Sequence, residues 1–556
     1  KAGTFIGSRM GRPEKAKLRK LIGSPHVLFP VGDEGGRLRS FQAALEVGSV
    51  SSEFPIFVCT KCKEDSVFPI CLKCGGEAKK MRYCHKCDKT SNENCLEHSI
   101  GLEYKERSIP IAEYFEAARL VSGVKREELG IVKGVRGTSN KGHVCENLAK
   151  GFLRAKHNLH VNKDGTIRYD MTEMPLNHFK PGEIGTSVVR LRELGYEKDM
   201  YGAQLEKDDQ ILALFPHDIV LPSCPESADE HADDVFLRVC GFLDDELEKI
   251  YGLPRFFNAK KKDDLIGHFF VCIAPHICTA TVGRLIGFSK TQSYLASPFM
   301  HAAMRRDCDG DEAAVLMLMD LLLNFSRSYL PAHRGGTQDA PLVLNTKISA
   351  REVDDQILDF ELGPYPLELY ELAEQGKHSS EVKFDTVKSR LKAGKDWFSG
   401  SSFTHHSSNI NHCVINSSYK RLPTMGDKVD SMMALCVKTR AVDVKDVARL
   451  IIERHFIRDI KGNLRKFSMQ VFRCVGCNEK FRRPPLAGKC TACGGKLIFT
   501  ISQGGIVKYL EKALALAHTY EVSPYLLESL EITQKDIEGI FGKEKEKQEN
   551  LGKWFS

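Results

Sequence analysis

No run of eighteen consecutive apolar residues occurs in the chain, which excludes an ordinary membrane-spanning helix. A repeat of solenoid period is missing as well, so stacked-repeat architectures are excluded. A strong net charge is also lacking. The balance of +7 is too mild at this length to argue for a nucleic-acid partner by itself. The chain starts at Lys1 with neither Met nor a signal-like apolar region, and so reads as a fragment or a processed product. What remains is ordinary globular composition, 42% hydrophobic and 28% charged, on a chain long enough to require several domains.

The charge is unevenly placed. Between Lys1 and Lys20 seven basic residues (Lys1, Arg9, Arg12, Lys15, Lys17, Arg19, Lys20) face one acid, Glu14. Such a field attracts phosphates, although a solvated basic face would look the same in sequence. Nineteen cysteines are many, yet a large share fall in Cys-x2-Cys pairs, which favours zinc in a reducing interior over disulfides.

The texture changes along the chain. Residues 1–50 alternate basic, glycine-containing loops with short apolar runs, and 51–103 hold a cysteine-dense block. Amphipathic helical patterns and strand-like runs mix over 104–260, and apolar strands surround an acidic turn over 261–350. Residues 351–470 read as mainly helical, 471–500 as a second cysteine block, 501–541 as helical and 542–556 as a charged linker with an aromatic end.

Cys59, Cys62, Cys71 and Cys74 form two knuckles that can present four thiolates tetrahedrally, the arrangement of closed structural zinc sites. Cys474, Cys477, Cys490 and Cys493 repeat that logic, with a Gly-Gly that lets the backbone turn toward a metal. Cys84 and Cys87 would need Cys95 and His98 as partners, or could exchange ligands with the preceding knuckles. The other eight cysteines, Cys240 and Cys272 among them, read as small buried apolar residues.

The segment "MRRDCDGDEAAV" sets Asp307, Asp309, Asp311 and Glu312 behind Arg305 and Arg306. Carboxylates at i and i+2 around a glycine converge on one side of a bend, and hard oxygen donors of this kind suit magnesium. The alternative is an acidic cap, because "EAAVLMLMDLLLN" reads as a helix and would place the turn at a strand–helix junction. The two arginines favour a site where metal, carboxylate and phosphate meet, as in two-metal nucleotidyl transfer.

"RRDCDGDE" is similar to the metal-binding loop of the double-psi β-barrel polymerases. With "GSRMGRPEKAK", "APHICTATVGRLIGFSK", "NFSRSYLPAHRGGTQDAPLV", "KTRAVDV" and "FRCVGCNEKFRRPPLAGKC", in that order, the chain resembles the C-terminal part of the large, catalytic subunit of the archaeal family D DNA polymerases. The resemblance implies an α+β multidomain fold with a double-psi β-barrel catalytic core, zinc-binding modules and helical regions. Residues 1–50 would be part of a first barrel and 261–350 a second barrel bearing the acidic loop. Asp309 and Asp311 would hold Mg2+. Asp307 departs from the pattern, where asparagine is usual, and leans toward the RNA polymerase form. Arg9, Arg12, Lys15 and Lys17 would meet triphosphate or template from opposite the acids, with His301, Arg305 and Arg306 as further phosphate contacts. His276 and the pair His405 and His406 read as structural. Arg334 to Gly336 reads either as a channel lining or as a glycine turn.

In "QENLGKWF" Gln548, Leu551, Trp554 and Phe555 fall on one side of a helical turn after a charged linker, which suits a peptide offered to another protein. It resembles the motif that docks on the sliding clamp. The expected activity is DNA-directed DNA synthesis on a primer–template from deoxynucleoside triphosphates, with Mg2+ and Zn2+ as cofactors. The resemblance also implies a small exonuclease subunit as partner and a cytoplasmic, nucleoid-associated location. The rivals are an RNA polymerase-like nucleotidyltransferase and a non-catalytic, zinc-stapled scaffold tethered to the clamp.

Overall fold

The computed structural model describes residues 15–125, 129–307, 310–333, 335–382, 384–398, 400–402, 409–412, 422–439, 442–475, 477, 479–498 and 503–541. Two compact units divide it, one within 12–417 and one within 418–556.

The first unit is organised by one eight-stranded sheet. Its strands are β1 (Ala16–Leu18), β2 (Tyr169–Pro175), β3 (Asp218–Pro222), β4 (Phe269–Ile273), β5 (Thr279–Ser289), β6 (Ser293–Ala296), β7 (Glu312–Met317) and β8 (Val343–Asn345). The order runs β1-β2-β6-β3-β5-β4-β7, β8 pairs with β5, and β2 pairs again with β7. Six strands, β2, β6, β3, β5, β4 and β7, therefore close on themselves. One edge of β2 carries β7, while the other is shared, residues 169–171 with β1 and 172–175 with β6.

Side-chain alternation explains why these segments are strands. Phe270, Cys272, Ala313, Val315 and Met317 join one core, and Val271, Ile273, Ala314 and Leu316 join another. A strand buried on both faces reads as a continuous apolar run. For that reason the segment expected to be one long helix behind the acidic turn is instead strand β7 followed by the short helix Leu318–Asn324. Periodicity alone does not separate the two, and here β2 and β4 satisfy both edges of the segment. The acidic turn thus joins helix Pro298–Ala303 to a strand, and the cap reading loses the helix it needed.

The sheet also draws strands from the 1–50, 104–260 and 261–350 segments together. β1, expected within a separate first barrel, lies in this same sheet, because Ala16 and Leu18 alternate with Lys17 and enter its core.

A smaller core gathers Phe29, Phe41, Phe54, Phe152 and their neighbours. It supports a ribbon of Ser49–Pro55 against Tyr104–Pro110, and the first two cysteine clusters are inserted between these strands.

The second unit packs helices Met425–Lys438, Val444–Ile451, Ile457–Met469, Leu510–Thr519 and Pro524–Phe541, with the last cysteine cluster between the third and fourth. A π turn, Ile452–Phe456, joins the second and third. Among the described residues no helix is long and apolar enough to cross a membrane.

Candidate functional site

The acidic turn is placed by elements on both of its sides. Helix Pro298–Ala303 starts where Ser297 Oγ accepts from Phe299 N–H, and the proline at its first position needs no intrahelical donor. Arg305 follows with φ +58°, a left-handed backbone that costs strain in any residue carrying a Cβ. Gly310 takes φ +96°, and a Cβ there would meet only Thr172 Cγ2, at 3.9 Å; glycine is needed for the bend and not for space. Asp309 and Cys308 lie outside the described residues.

Asp311 is anchored by its backbone, whose carbonyl accepts from Glu173 N–H at 2.8 Å. Its carboxylate lies 3.5 Å from Arg306 Nη1, and the other arm of Arg306 donates to the Pro275 carbonyl. Asp307 is exposed beside it. Arg305 reaches away, toward Asp354 at 3.5 Å.

Lys15 reaches the turn through the sheet. Its N–H donates to Thr172 Oγ1 and its carbonyl accepts from Thr172 N–H, both at 2.8 Å. Thr172 is the register partner of Glu312 across β2 and β7, and Lys15 Nζ stands 2.5 Å from Glu312 Oε1. Lys17 is exposed, its register partner being Asp170. Of the four expected cations, Lys15 lies against the last acid of the turn. The contact arises within one sheet, and Arg9 and Arg12 lie outside the described residues.

His301 departs from its expected phosphate role. It is fully buried, its Nε2 donates to the Met174 carbonyl at 3.0 Å, and its Nδ1 lies 3.0 Å from Glu173 Oε2. The helix turns it inward under Tyr294, whose ring stands edge-on at 5.4 Å, so no nitrogen is left for an outside anion. Glu173 went unnoticed in the sequence. Its only signal was a glutamate in the otherwise largely buried strand "YDMTEMP". Burial pushes its carboxyl up, opposed by His301 and reinforced by the nearby Asp311.

His276, read as structural, takes φ +66° and its N–H donates to Asp339. Gly336 is packed so closely that a Cβ would meet the Pro331 carbonyl oxygen, which favours the glycine-turn reading for that stretch; Arg334 lies outside the described residues, as do His405, His406 and the whole of Gln548 to Phe555.

All three cysteine groups assemble. Within each of Cys59/Cys62/Cys71/Cys74, Cys84/Cys87/Cys95/His98 and Cys474/Cys477/Cys490/Cys493, the ligand atoms lie within 4.8 Å of one another, so each group could hold a metal ion. Separations such as Cys59–Cys74 at 3.4 Å, Cys87–Cys95 at 3.7 Å and Cys477–Cys490 at 3.4 Å approach the roughly 3.8 Å edge of a tetrahedron with zinc–sulfur bonds of about 2.3 Å. His98 Nδ1 lies 3.6 Å from Cys84 Sγ and 3.5 Å from Cys95 Sγ, so the middle group is separate from the knuckles before it. The Cys62 N–H aimed at Cys59 helps to bring that thiol down to about 6, toward the thiolate that zinc binds. At the last group Gly494 takes φ +70° and donates to the Cys490 carbonyl at 2.8 Å, the turn expected of its glycines. Of the remaining cysteines, Cys145, Cys224, Cys240, Cys272 and Cys436 are buried as expected, while Cys278 is exposed.

Comparison with known proteins adds the class to which this arrangement belongs. Residues 124–428, which contain the acidic turn, match the family described as DNA polymerase II large subunit DP2, catalytic domain, and residues 1–93 match its central domain. The chain belongs to the DNA polymerase II large subunit family. It is 43% identical over 565 residues to the DNA polymerase II large subunits of Methanocella arvoryzae and Archaeoglobus fulgidus, covering 99% of this chain and 49% of each relative. Against the Pyrococcus furiosus protein of that name the identity is 43% over 552 residues, 97% of this chain and 43% of the relative. The chain spans about half the length of the curated relatives it matches.

Proposed function

We propose that the protein is the catalytic region of a DNA-directed DNA polymerase, from the C-terminal part of the large subunit, and that its ring of six strands is a double-psi β-barrel. The observation that carries this reading is the acidic turn at a helix–strand junction, inside the segment matching a polymerase catalytic domain, with Arg306 3.5 Å from Asp311 and with Lys15, from the central-domain match, 2.5 Å from Glu312.

Asp309 and Asp311 would hold magnesium, and Asp307 adds a third hard oxygen donor at the exposed side of the turn. Bound there, magnesium lowers the pKa of an attacking hydroxyl and neutralises a leaving pyrophosphate. The chain's own part is positioning and charge. Lys15 and Arg306 offer cations to the phosphates of a deoxynucleoside triphosphate, and the sheet fixes Lys15 through Thr172. The primer 3′-hydroxyl then attacks the α-phosphate, forming the new phosphodiester and releasing pyrophosphate. The cysteine groups, each with four protein ligands, act as structural zinc sites. A small exonuclease subunit docks on the second unit, and Gln548, Leu551, Trp554 and Phe555 engage the sliding clamp on nucleoid DNA.

Primer extension by the full-length large subunit with its small subunit tests the reading. Asp309→Ala and Asp311→Ala should each abolish deoxynucleotide incorporation while zinc content and DNA binding persist. Extension by both variants at the wild-type rate would sink it in favour of the clamp-tethered scaffold. Preference for ribonucleotides would favour RNA synthesis, toward which Asp307 leans.

A further inference from the structure

One buried residue of β2 meets the elements on both sides of the acidic turn, by its side chain on one side and by its backbone on the other. Glu173, on β2, meets His301 in the helix before the turn through its carboxylate, Oε2 to Nδ1 at 3.0 Å. Through its backbone N–H it meets Asp311 at the far end of the turn, at 2.8 Å. Both Glu173 and His301 are fully buried.

The chemistry of the contact is constrained. The Met174 carbonyl can only accept, so His301 Nε2 carries a proton, and the Nδ1–Oε2 contact must hold one more, whichever partner owns it. The other carboxylate oxygen, Oε1, is buried with no hydrogen-bond partner among the described residues.

We propose that Glu173 and His301 are positioning residues that clamp the two ends of the acidic turn, fixing Asp311 at the spacing its metal requires. The inference rests on the polymerase reading of that turn. Neither residue touches substrate. Their effect runs through the placement of Asp311, where a shift of about 1 Å is enough to cost on the order of a hundredfold in rate.

The test uses the full-length large subunit with its small subunit, carrying Glu173→Ala, Glu173→Gln or His301→Ala, beside Asp311→Ala as reference. Glu173→Ala and His301→Ala should lower kcat for single-nucleotide incorporation by about 10- to 100-fold. They should also raise the magnesium concentration for half-maximal rate, with primer–template affinity and zinc content at wild-type levels. Glu173→Gln, whose amide can donate to a neutral His301 Nδ1, should restore most of kcat. It also serves as the folded comparison if an alanine variant fails to fold. Wild-type kcat and magnesium dependence in folded Glu173→Ala, with Asp311→Ala inactive, would overturn the clamp alone. So would a loss in Glu173→Gln matching that in Glu173→Ala. Synthesis by Asp311→Ala would overturn the polymerase reading first.

Discussion

Lys15 Nζ and Glu312 Oε1 are 2.5 Å apart, a cation preceding β1 neutralised by the last acid of the turn. Both side chains keep about a third of their surface exposed, so the pair is weak and open to exchange. A triphosphate would compete with Glu312 for the same ammonium. Lys15→Ala should raise KM for deoxynucleotides about tenfold with a smaller change in kcat. Glu312→Gln should lower KM by about two- to fivefold, the worth of one exposed pair. Steady-state single-nucleotide kinetics reads both, and a KM unmoved in either variant would dissociate Lys15 from the phosphates.

Asp307 adds a negative charge that its exposure leaves free to meet a cation from solvent. Asp307→Asn should keep kcat within a few-fold while the magnesium needed for half-maximal rate rises by about two- to fivefold, as expected for losing one partly screened charge. A magnesium titration decides this. Complete loss of activity would instead make Asp307 a required ligand.

Three assembled sulfur-rich groups predict three zinc ions per chain. Elemental analysis of Cys87→Ser or Cys477→Ser should find one ion fewer, with the other two retained because the clusters are separate in the chain. Chelation should lower the melting temperature, and added zinc should restore it.

His26 and His160 stack at 5.2 Å and are both buried. Burial, then repulsion from His160, Lys133 and Arg154, holds His26 down at about 3, and burial with the nearby Lys20 and Lys133 holds His160 at about 4. The unfolded chain takes protons at about 6.5, so below that value it binds more than the folded chain and stability falls as pH drops. Between about pH 7.5 and about pH 5 each imidazole should cost about 2 kcal/mol. His160→Gln should remove roughly half of that loss, measured as the pH dependence of the melting temperature. An unchanged dependence would place the acid sensitivity elsewhere.

Local chemistry was legible in the sequence and long-range pairing was not. The cysteine ligands could be read because each knuckle is completed within a few residues, and the bend at Gly310 because glycine stands where the backbone takes a positive φ. The β7 segment reads as helix in the sequence because burial on both faces erases the alternation that marks a strand. His301 looked like a phosphate contact because nothing in "FMHAAMRR" shows that the helix turns it toward Glu173, 128 residues earlier. The charge of Lys15 is visible in the sequence, but its route to the turn depends on β1 pairing with a strand more than 150 residues away.

The closed ring also imposes an order on how the chain can acquire its shape. β2 cannot meet β7 until about 140 further residues have left the ribosome, and the intervening strands wait with unpaired edges. The cysteine modules between Cys59 and His98 need only nearby residues and a metal ion. They can therefore fold while the ring is still open.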